Sequence, residues 1–328
     1  MVEQELIVFL WEGSPWAGKV QAYLALRGIP YAVCLQPITQ PRPDLAALGI
    51  KYRRIPVISM GRDIYCDSLL ILEKLEEWFP DAQHQRIGAN DATGKALEKL
   101  LEKWTDVAVF VHAAAAIPSE LDLVRDPAFQ KDREELWGRP WTKAEQDRLR
   151  PSGLANLRTH MDFLEMLLGD GRHWVLGANG PGLADIHACW IFNWLFALPG
   201  ALPDHFFNEQ HYPRTIAWRD RYDEAIKNAK KEAPTPKELT GIDTINKILD
   251  SGFLELQLKV EEDPSGYKAG DEIEVYPTDT GFTRRDTGKL AGLTTQEVVL
   301  STTTQQAGSE IHIHFPRWNF SIESAAAT

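Results

Sequence analysis

The chain has 328 residues, of which 44% are apolar and 25% are charged, and its formal net charge is −12. This length predicts about two or three domains with apolar cores. Basic residues form only short clusters such as Arg53-Arg54 and Lys230-Lys231, so we expect no nucleic-acid partner on electrostatic grounds.

The sequence also indicates a cellular compartment. No apolar run approaches the roughly 20 residues that a membrane-spanning helix needs, so we expect no membrane partner. The amino terminus, Met1-Val2-Glu3-Gln4-Glu5, is acidic rather than basic, and we expect no signal peptide. The three cysteines, Cys34, Cys66 and Cys189, are far apart, which argues against a disulfide framework. We therefore expect a cytoplasmic protein.

Residues 1–83 alternate strand and helix signals. The order of the signals is strand, helix, strand, then a hairpin and a second helix, which is the thioredoxin-like arrangement. The predicted elements are the strand Leu6–Leu10, a helix over 18–27, a strand over 29–35, strands over 55–60 and Asp63–Cys66, and the helix Ser68–Trp78.

Residues 84–234 carry helical patterns only. Long amphipathic stretches cover 92–116 and 154–168, and the stretch 183–196 is apolar nearly all round. A helix that is apolar on every face is usually buried at the centre of its domain. This segment is predicted to be all-helical, and it ends at the Pro-rich break Ala233-Pro234-Thr235-Pro236.

Residues 235–328 change to alternating apolar and polar residues. The alternation covers 254–260, 272–275 and 311–315, with turn signals between these stretches. Such period-2 patterning predicts a small antiparallel β domain, which we expect to be barrel-like. His312 and His314 share one strand face, but no carboxylate or cysteine alternates with them there, so no metal is predicted.

The string Ser14-Pro15-Trp16 follows the first strand and precedes the first helix. A hydroxyl at this place faces a positive helix end, where a bound thiol would be biased toward its thiolate. The alternative is that Ser14 only caps the helix.

Two further strings can likewise have either a structural role or a role in binding a ligand. Pro56 stands at the start of a strand, where a proline removes a ladder hydrogen bond. A cis bond after Ile55 would turn the Ile55 backbone groups toward a site, and a trans edge-strand proline is the alternative. Asp67-Ser68 opens the second helix and either caps it or binds the charged groups of a ligand.

Taken in order, these strings resemble the glutathione S-transferase superfamily. Ser14-Pro15-Trp16 is most similar to its tau and omega branches, and Leu183-Ala184-Asp185-Ile186 resembles the start of a buried helix in its second domain. The resemblance covers about residues 5–232. The remainder looks like an appendage of some fungal-type members. One departure is Gly182, where the family usually has Ser or Thr.

The resemblance implies a glutathione site with a definite distribution of roles. Ile55 would pair with the cysteinyl backbone, Ser68 with the γ-glutamyl carboxylate and Asp67 with its ammonium group. Arg54 would contact the glycine carboxylate or be solvated. The full expected set is Ser14, Trp16, Arg54, Ile55, Pro56, Asp67 and Ser68. Glutathione is the implied cosubstrate, and a homodimer is the implied assembly.

A pocket for an acceptor substrate is expected between the first two domains. Trp104, Ala108 and Val111 recur at helical spacing, His112 follows at the margin, and Trp16 would cover the pocket. Core packing is the alternative role for each. His112 becomes a candidate acid or base only if a substrate reaches it.

The residue at position 14 also bears on the type of reaction. A cysteine there would favour mixed disulfides and thiol transfer, whereas a serine cannot form them. We therefore expect a glutathione-dependent transferase that adds the thiolate to an apolar electrophile. A zeta-like cis–trans isomerase and a non-catalytic glutathione-binding protein are the alternatives.

Overall fold

The described residues of the chain contain one ten-stranded sheet. The computed structural model of the chain describes residues 4–79, 83–177, 179–304 and 308–325. The strands are β1 (Leu6–Leu10), β2 (Ala32–Leu35), β3 (Val57–Met60), β4 (Asp63–Cys66), β5 (Lys237–Glu238), β6 (Glu272–Pro277), β7 (Asp286–Leu293), β8 (Glu297–Thr303), β9 (Glu310–Pro316) and β10 (Phe320–Ser324). Their order across the sheet is β10-β6-β7-β8-β9-β4-β3-β1-β2-β5.

The thioredoxin-like unit predicted at the start of the chain is confirmed. Every residue of β1 is buried, and β1 lies between the parallel β2 and the antiparallel β3. The helices of this unit are α1 (Pro15–Leu26), α2 (Pro43–Ala47) and α3 (Ser68–Trp78).

The helical domain predicted after it is also confirmed. The predicted helix over 92–116 is continuous but contains a π-helical segment, Trp104–Val109. Among the described residues of the chain, no helix is both long enough and apolar enough to cross a bilayer. The helices are α4 (Ala92–Lys103), α5 (Phe110–Ala116), α6 (Asp122–Arg125), α7 (Pro127–Trp137), α8 (Lys143–Leu167), α9 (Leu183–Ala197) and α10 (Pro213–Glu232).

The start of α9 explains the unusual Gly182. Asp185 is buried, and its carboxylate accepts hydrogen bonds from the backbone N–H groups of Gly182 and Val175, both at 2.9 Å, and from Trp218 Nε1 at 2.7 Å. A side chain at position 182 would bring its Cβ within 3.0 Å of the Ile87 carbonyl oxygen. Glycine therefore relieves a close approach of backbone, while Asp185 supplies the capping bonds.

The C-terminal β region is confirmed, but it does not close into the expected barrel. In the described residues, β9 pairs in parallel with β4, so that Asp63 lies opposite His312 and Tyr65 opposite His314. Without this pairing β4 would leave a row of unpaired backbone groups at a sheet edge. The C-terminal strands therefore extend the thioredoxin-like sheet. The domain boundaries at residues 83 and 234 stay a prediction.

Two details of this region differ from the sequence prediction. Residues 254–260 form no strand: one isolated bridge lies just before them at Phe253 and another at their last residue, Val260, and Leu256 is 83% exposed. The alternation there is carried by too few buried residues to hold a ladder. The helix α11 (Gly241–Asp250), which packs on α2, was not predicted.

The sheet separates two apolar cores. Leu6, Val8 and Leu10 point to the core shared with the helical domain. Ile7 and Phe9 point to the core shared with the C-terminal strands. Because neighbouring strand residues alternate between faces, the fully apolar sequence of β1 supplies both cores at once.

A buried ion pair joins the first two domains. Lys19 on α1 and Glu102 on α4 are both almost inaccessible to solvent, and their side chains meet at 2.7 Å from Nζ to Oε1. Lys19 Nζ also donates to Ser68 Oγ at 3.2 Å. Removing one partner leaves an uncompensated charge in the interior, which is far more costly than removing both.

We expect Lys19→Met to lower the free energy of unfolding by about 3–5 kcal/mol, because it leaves the Glu102 carboxylate buried and unpaired. The double variant Lys19→Met/Glu102→Leu should recover most of that loss. Urea unfolding of the three proteins without added ligand measures both effects. A single variant as stable as the unmodified chain would contradict this role of the pair.

Candidate active site

A cavity of about 300 Å³ is lined by both the thioredoxin-like unit and the helical domain. The structure brings together at this cavity all seven residues that the sequence places around glutathione: Ser14, Trp16, Arg54, Ile55, Pro56, Asp67 and Ser68. Asp279 and Thr280 of the C-terminal region also reach it.

Ser14 both caps α1 and lines the cavity. It is buried and has an extended backbone, and its Oγ accepts from the Ala17 backbone N–H at 3.3 Å. In the part of the chain that the structure describes, the Ser14 hydroxyl donates no hydrogen bond. Its proton is therefore free to be donated to a ligand atom, so the two readings of this residue are compatible.

Asp67 and Ser68 stand at the amino end of α3. Asp67 has a positive φ of 75°, and its Oδ1 accepts from the Leu69 backbone N–H at 3.0 Å, as an N-cap does. Ser68 Oγ accepts from the buried Lys19. The peptide bond between Ile55 and Pro56 is cis.

Arg54 is held by the C-terminal region. Its guanidinium donates to the Asp279 carboxylate and, through Nε at 3.0 Å, to the Thr280 carbonyl oxygen. Asp67 Oδ2 lies 3.8 Å from Nη1. The guanidinium that is predicted to bind the glycine carboxylate of glutathione is therefore already paired with a carboxylate of the protein.

Asp106 is a site residue that the sequence analysis missed. It lies in the π-helical segment, lines the cavity and accepts from the Trp16 indole Nε1 at 2.8 Å. Burial, and then the nearby carboxylates of Glu102 and Asp67, raise the pKa of Asp106 to about 7. The sequence signal is the one acid in the mostly apolar stretch 104–116. The structure places it in a local π-helical turn of the kind that often marks functional sites.

Four residues predicted to line the acceptor pocket do not line the cavity: Trp104, Ala108, Val111 and His112. Trp104 Nε1 donates to His160 at 3.2 Å, and His112 Nδ1 lies 3.1 Å from the other ring nitrogen of His160. Val111 is 42% exposed. The predicted stripe thus faces α8 and solvent.

The cavity is lined by another face of the same helix, with Asp106, Phe110 and Ala114. The helical spacing of the apolar residues after Trp104 predicts the other face. The correct face contains an acid, which is turned inward because the Trp16 indole supplies a hydrogen-bond donor for it.

Aromatic rings form one wall of the cavity. Trp16 packs edge-on against Phe110 with ring centroids 4.3 Å apart. Phe110 stacks on Trp137 at 5.4 Å, and Trp137 stacks on Trp141 at 5.8 Å. This wall offers a broad apolar surface with flat faces, suited to a flat apolar or aromatic group.

Two protein-family models match separate parts of the chain. Residues 8–83 match the family model described as glutathione S-transferase, N-terminal domain. Residues 112–231 match a domain of unknown function, DUF7962. A curated plant protein, glutathione S-transferase U8 of Arabidopsis thaliana, is 26% identical over 238 residues, which cover 72% of this chain and 91% of that protein.

Solved structures extend the comparison to the C-terminal region. A GST-like protein from Pseudomonas syringae has a TM-score of 0.73 and 25% identity, and the match covers 98% of this chain and 99% of that one. The tau-class glutathione S-transferase of mango, Mangifera indica, has a TM-score of 0.52 and 14% identity over 74% of this chain and 95% of its own. The bacterial protein therefore matches nearly the whole chain, including the C-terminal strands.

The raised pKa of Asp106 predicts a pH-dependent stability. The unfolded-state pKa is about 3.9, so protonated Asp106 favours the fold at low pH, and this contribution is lost as pH rises toward 7. From about pH 5 to about pH 8, the free energy of unfolding of the unmodified chain should fall relative to that of Asp106→Asn by at least about 1 kcal/mol.

Urea unfolding at both pH values checks this, with the same substitution at the exposed Asp122 as the control. A difference between the unmodified chain and Asp106→Asn that stays constant over this range would contradict the assignment.

Proposed function

The chain belongs to the glutathione S-transferase superfamily, and from that premise we propose that it is a transferase in which Ser14 stabilises the thiolate of bound glutathione. The thiolate then adds to, or displaces a leaving group from, an apolar electrophile. The nucleophile belongs to the cosubstrate, so the protein supplies its activation and its position.

The observation that carries this proposal is the place of the Ser14 hydroxyl. It stands at the amino end of α1, inside the cavity, with a proton available for donation. Lowering a thiol pKa by about two units requires roughly 2.7 kcal/mol. A helix end contributes about 0.3–1 kcal/mol, and up to about 2 when partly buried. A hydrogen bond to a charged atom contributes about 1.5–3 kcal/mol. The two together are sufficient.

The γ-glutamyl end of glutathione is proposed to lie at the amino end of α3. Its carboxylate would face the helix end at Ser68, and its ammonium group would face Asp67. Asp106 adds a second acid to this side of the cavity. The buried side chain of Lys19 donates to Ser68 Oγ and so fixes the position of that hydroxyl.

The acceptor substrate is proposed to lie against the wall of Phe110, Trp137 and Trp141. Arginines also line this part of the cavity, but Arg53 is paired with Asp132 at 2.9 Å, and Arg133 stacks on Phe129 with 4.6 Å to the ring centroid. These guanidiniums are already engaged. The site therefore favours an aromatic or otherwise apolar electrophile over the dicarboxylate of a zeta-like isomerase.

A cytoplasmic homodimer is part of the same proposal. The three free cysteines are buried, which suits a reducing compartment. Val107 on the π-helical segment and Val111 on α5 are 45% and 42% exposed and would offer apolar surface for a second copy.

Ser14→Ala is expected to lower kcat/KM with an aryl halide by about tenfold to 150-fold at neutral pH, because it removes a hydrogen bond to a charged atom. Ser14→Thr should recover part of that activity. Ser251→Ala, which removes a hydroxyl at the end of α11, is the matched control. Undiminished turnover in Ser14→Ala would remove Ser14 from the mechanism. Glutathione binding without turnover on a broad panel of electrophiles would favour the non-catalytic alternative.

Asp279→Asn is expected to tighten glutathione binding by up to about fivefold, because it removes the carboxylate that competes for Arg54. Titration calorimetry measures the affinity. Glu262→Gln, at an exposed acid of the same region, removes the same charge away from the cavity and serves as the control. Equal or weaker binding in Asp279→Asn would show that Arg54 does not receive the glycine carboxylate.

A further inference from the structure

Outside the cavity, a second cluster of functional side chains lies where β9 joins β4. Asp63, His312 and His314 each offer one ligand atom, and these three atoms lie within 4.8 Å of one another. Asp63 Oδ1 is 3.1 Å from His312 Nδ1 and 3.0 Å from His314 Nε2. The sequence around the two histidines predicts no metal, because the carboxylate beside them comes from a strand 249 residues earlier in the chain.

We propose that this cluster is a binding site for a divalent transition metal of the zinc type, with Asp63 Oδ1, His312 Nδ1 and His314 Nε2 as its protein ligands. Two imidazole nitrogens and one carboxylate oxygen are a donor set that suits zinc. Bonds of about 2.0–2.1 Å in a tetrahedral site place neighbouring ligand atoms roughly 3.3 Å apart. The two measured separations lie close to that value.

The groups around the ligands fit this role. The other ring nitrogen of His314, Nδ1, lies 2.7 Å from Glu297 Oε1. A carboxylate on the far side of a histidine is the usual outer partner of a metal-ligating imidazole, because it fixes the ring and its tautomer. The other oxygen of Asp63, Oδ2, accepts from the backbone N–H groups of Leu254 and Glu255, which leaves Oδ1 for the metal. His312 is fixed by stacking on Phe253, with ring centroids 4.1 Å apart.

The charge of the cluster points in the same direction. Asp63, Glu297 and Glu255 bring three carboxylates to the cluster, and Lys74 pairs with Glu297 at 3.0 Å and with Glu255 at 2.5 Å. A dication between Asp63 and the histidines would add positive charge beside these carboxylates. Since Asp63 and His314 have fully buried side chains, an uncompensated charge there would be costly.

The site would join the C-terminal strands to the thioredoxin-like sheet. Its ligands lie on β4 and β9, whose pairing is the seam between the two groups of strands. The role we assign to the metal is therefore structural, and it is independent of glutathione binding.

The experiment uses the full-length chain, free of any affinity tag and of glutathione, stripped with a chelator and then titrated with zinc chloride against a chromophoric chelator. We expect one zinc ion per chain. His312→Gln changes the ligand nearest the surface and should weaken binding by at least tenfold. Glu297→Gln keeps all three ligands and should weaken binding by about tenfold to 100-fold. Zinc should raise the melting temperature of the unmodified chain more than that of either variant.

His211→Gln, at an exposed histidine of the helical domain, is the matched control and should bind zinc as the unmodified chain does. Cobalt substitution should give the visible absorption bands of a tetrahedral site in the unmodified chain and lose them in His312→Gln. Absence of saturable binding, or equal affinity in His312→Gln and His211→Gln, would overturn the proposal. Both outcomes leave the proposed transferase function untouched, because neither readout involves glutathione.

Discussion

The amino end of α1 is the feature on which the proposed chemistry depends. Every residue of β1 is buried, with β2 on one side and β3 on the other, and this fixes the point at which the chain turns into the helix. Pro15 occupies the first turn of α1, where a missing N–H removes no helical hydrogen bond. Ser14 is thereby placed where a hydroxyl and the positive end of a helix act on the same ligand atom. Neither contribution alone activates a thiol comfortably, and the fold is what makes them coincide.

The C-terminal strands alter the protein in two places. They cover the edge of the thioredoxin-like sheet at β4 and supply two histidines to a buried carboxylate there. The loop after β6 also places Asp279 in an ion pair with Arg54, at the edge of the cavity. The C-terminal region is thus part of the same sheet as the thioredoxin-like unit. This sheet also directs the loop after β6 toward the cavity.

The sequence allowed the prediction of features that are encoded locally. Ser14, Asp67 and the bond before Pro56 each belong to short strings whose backbone geometry follows from their own residues. The face of the helix through Asp106 could not be read in this way, because the apolar stripe through Trp104 fits helical periodicity equally well and only the tertiary partner Trp16 distinguishes the two. Pairs such as Asp63 with His312 and Arg54 with Asp279 are separated by 249 and 225 residues, and nothing local indicates that they meet.

The central claim concerns the ionisation of one sulfur atom. Its most direct test is a pH titration of the thiolate absorbance of glutathione bound to the unmodified chain and to Ser14→Ala, at saturating protein. The pKa of the bound thiol should lie about two units below that of free glutathione in the unmodified chain and should rise by about one to two units in the variant. Equal pKa values in the two proteins would contradict the role assigned to Ser14.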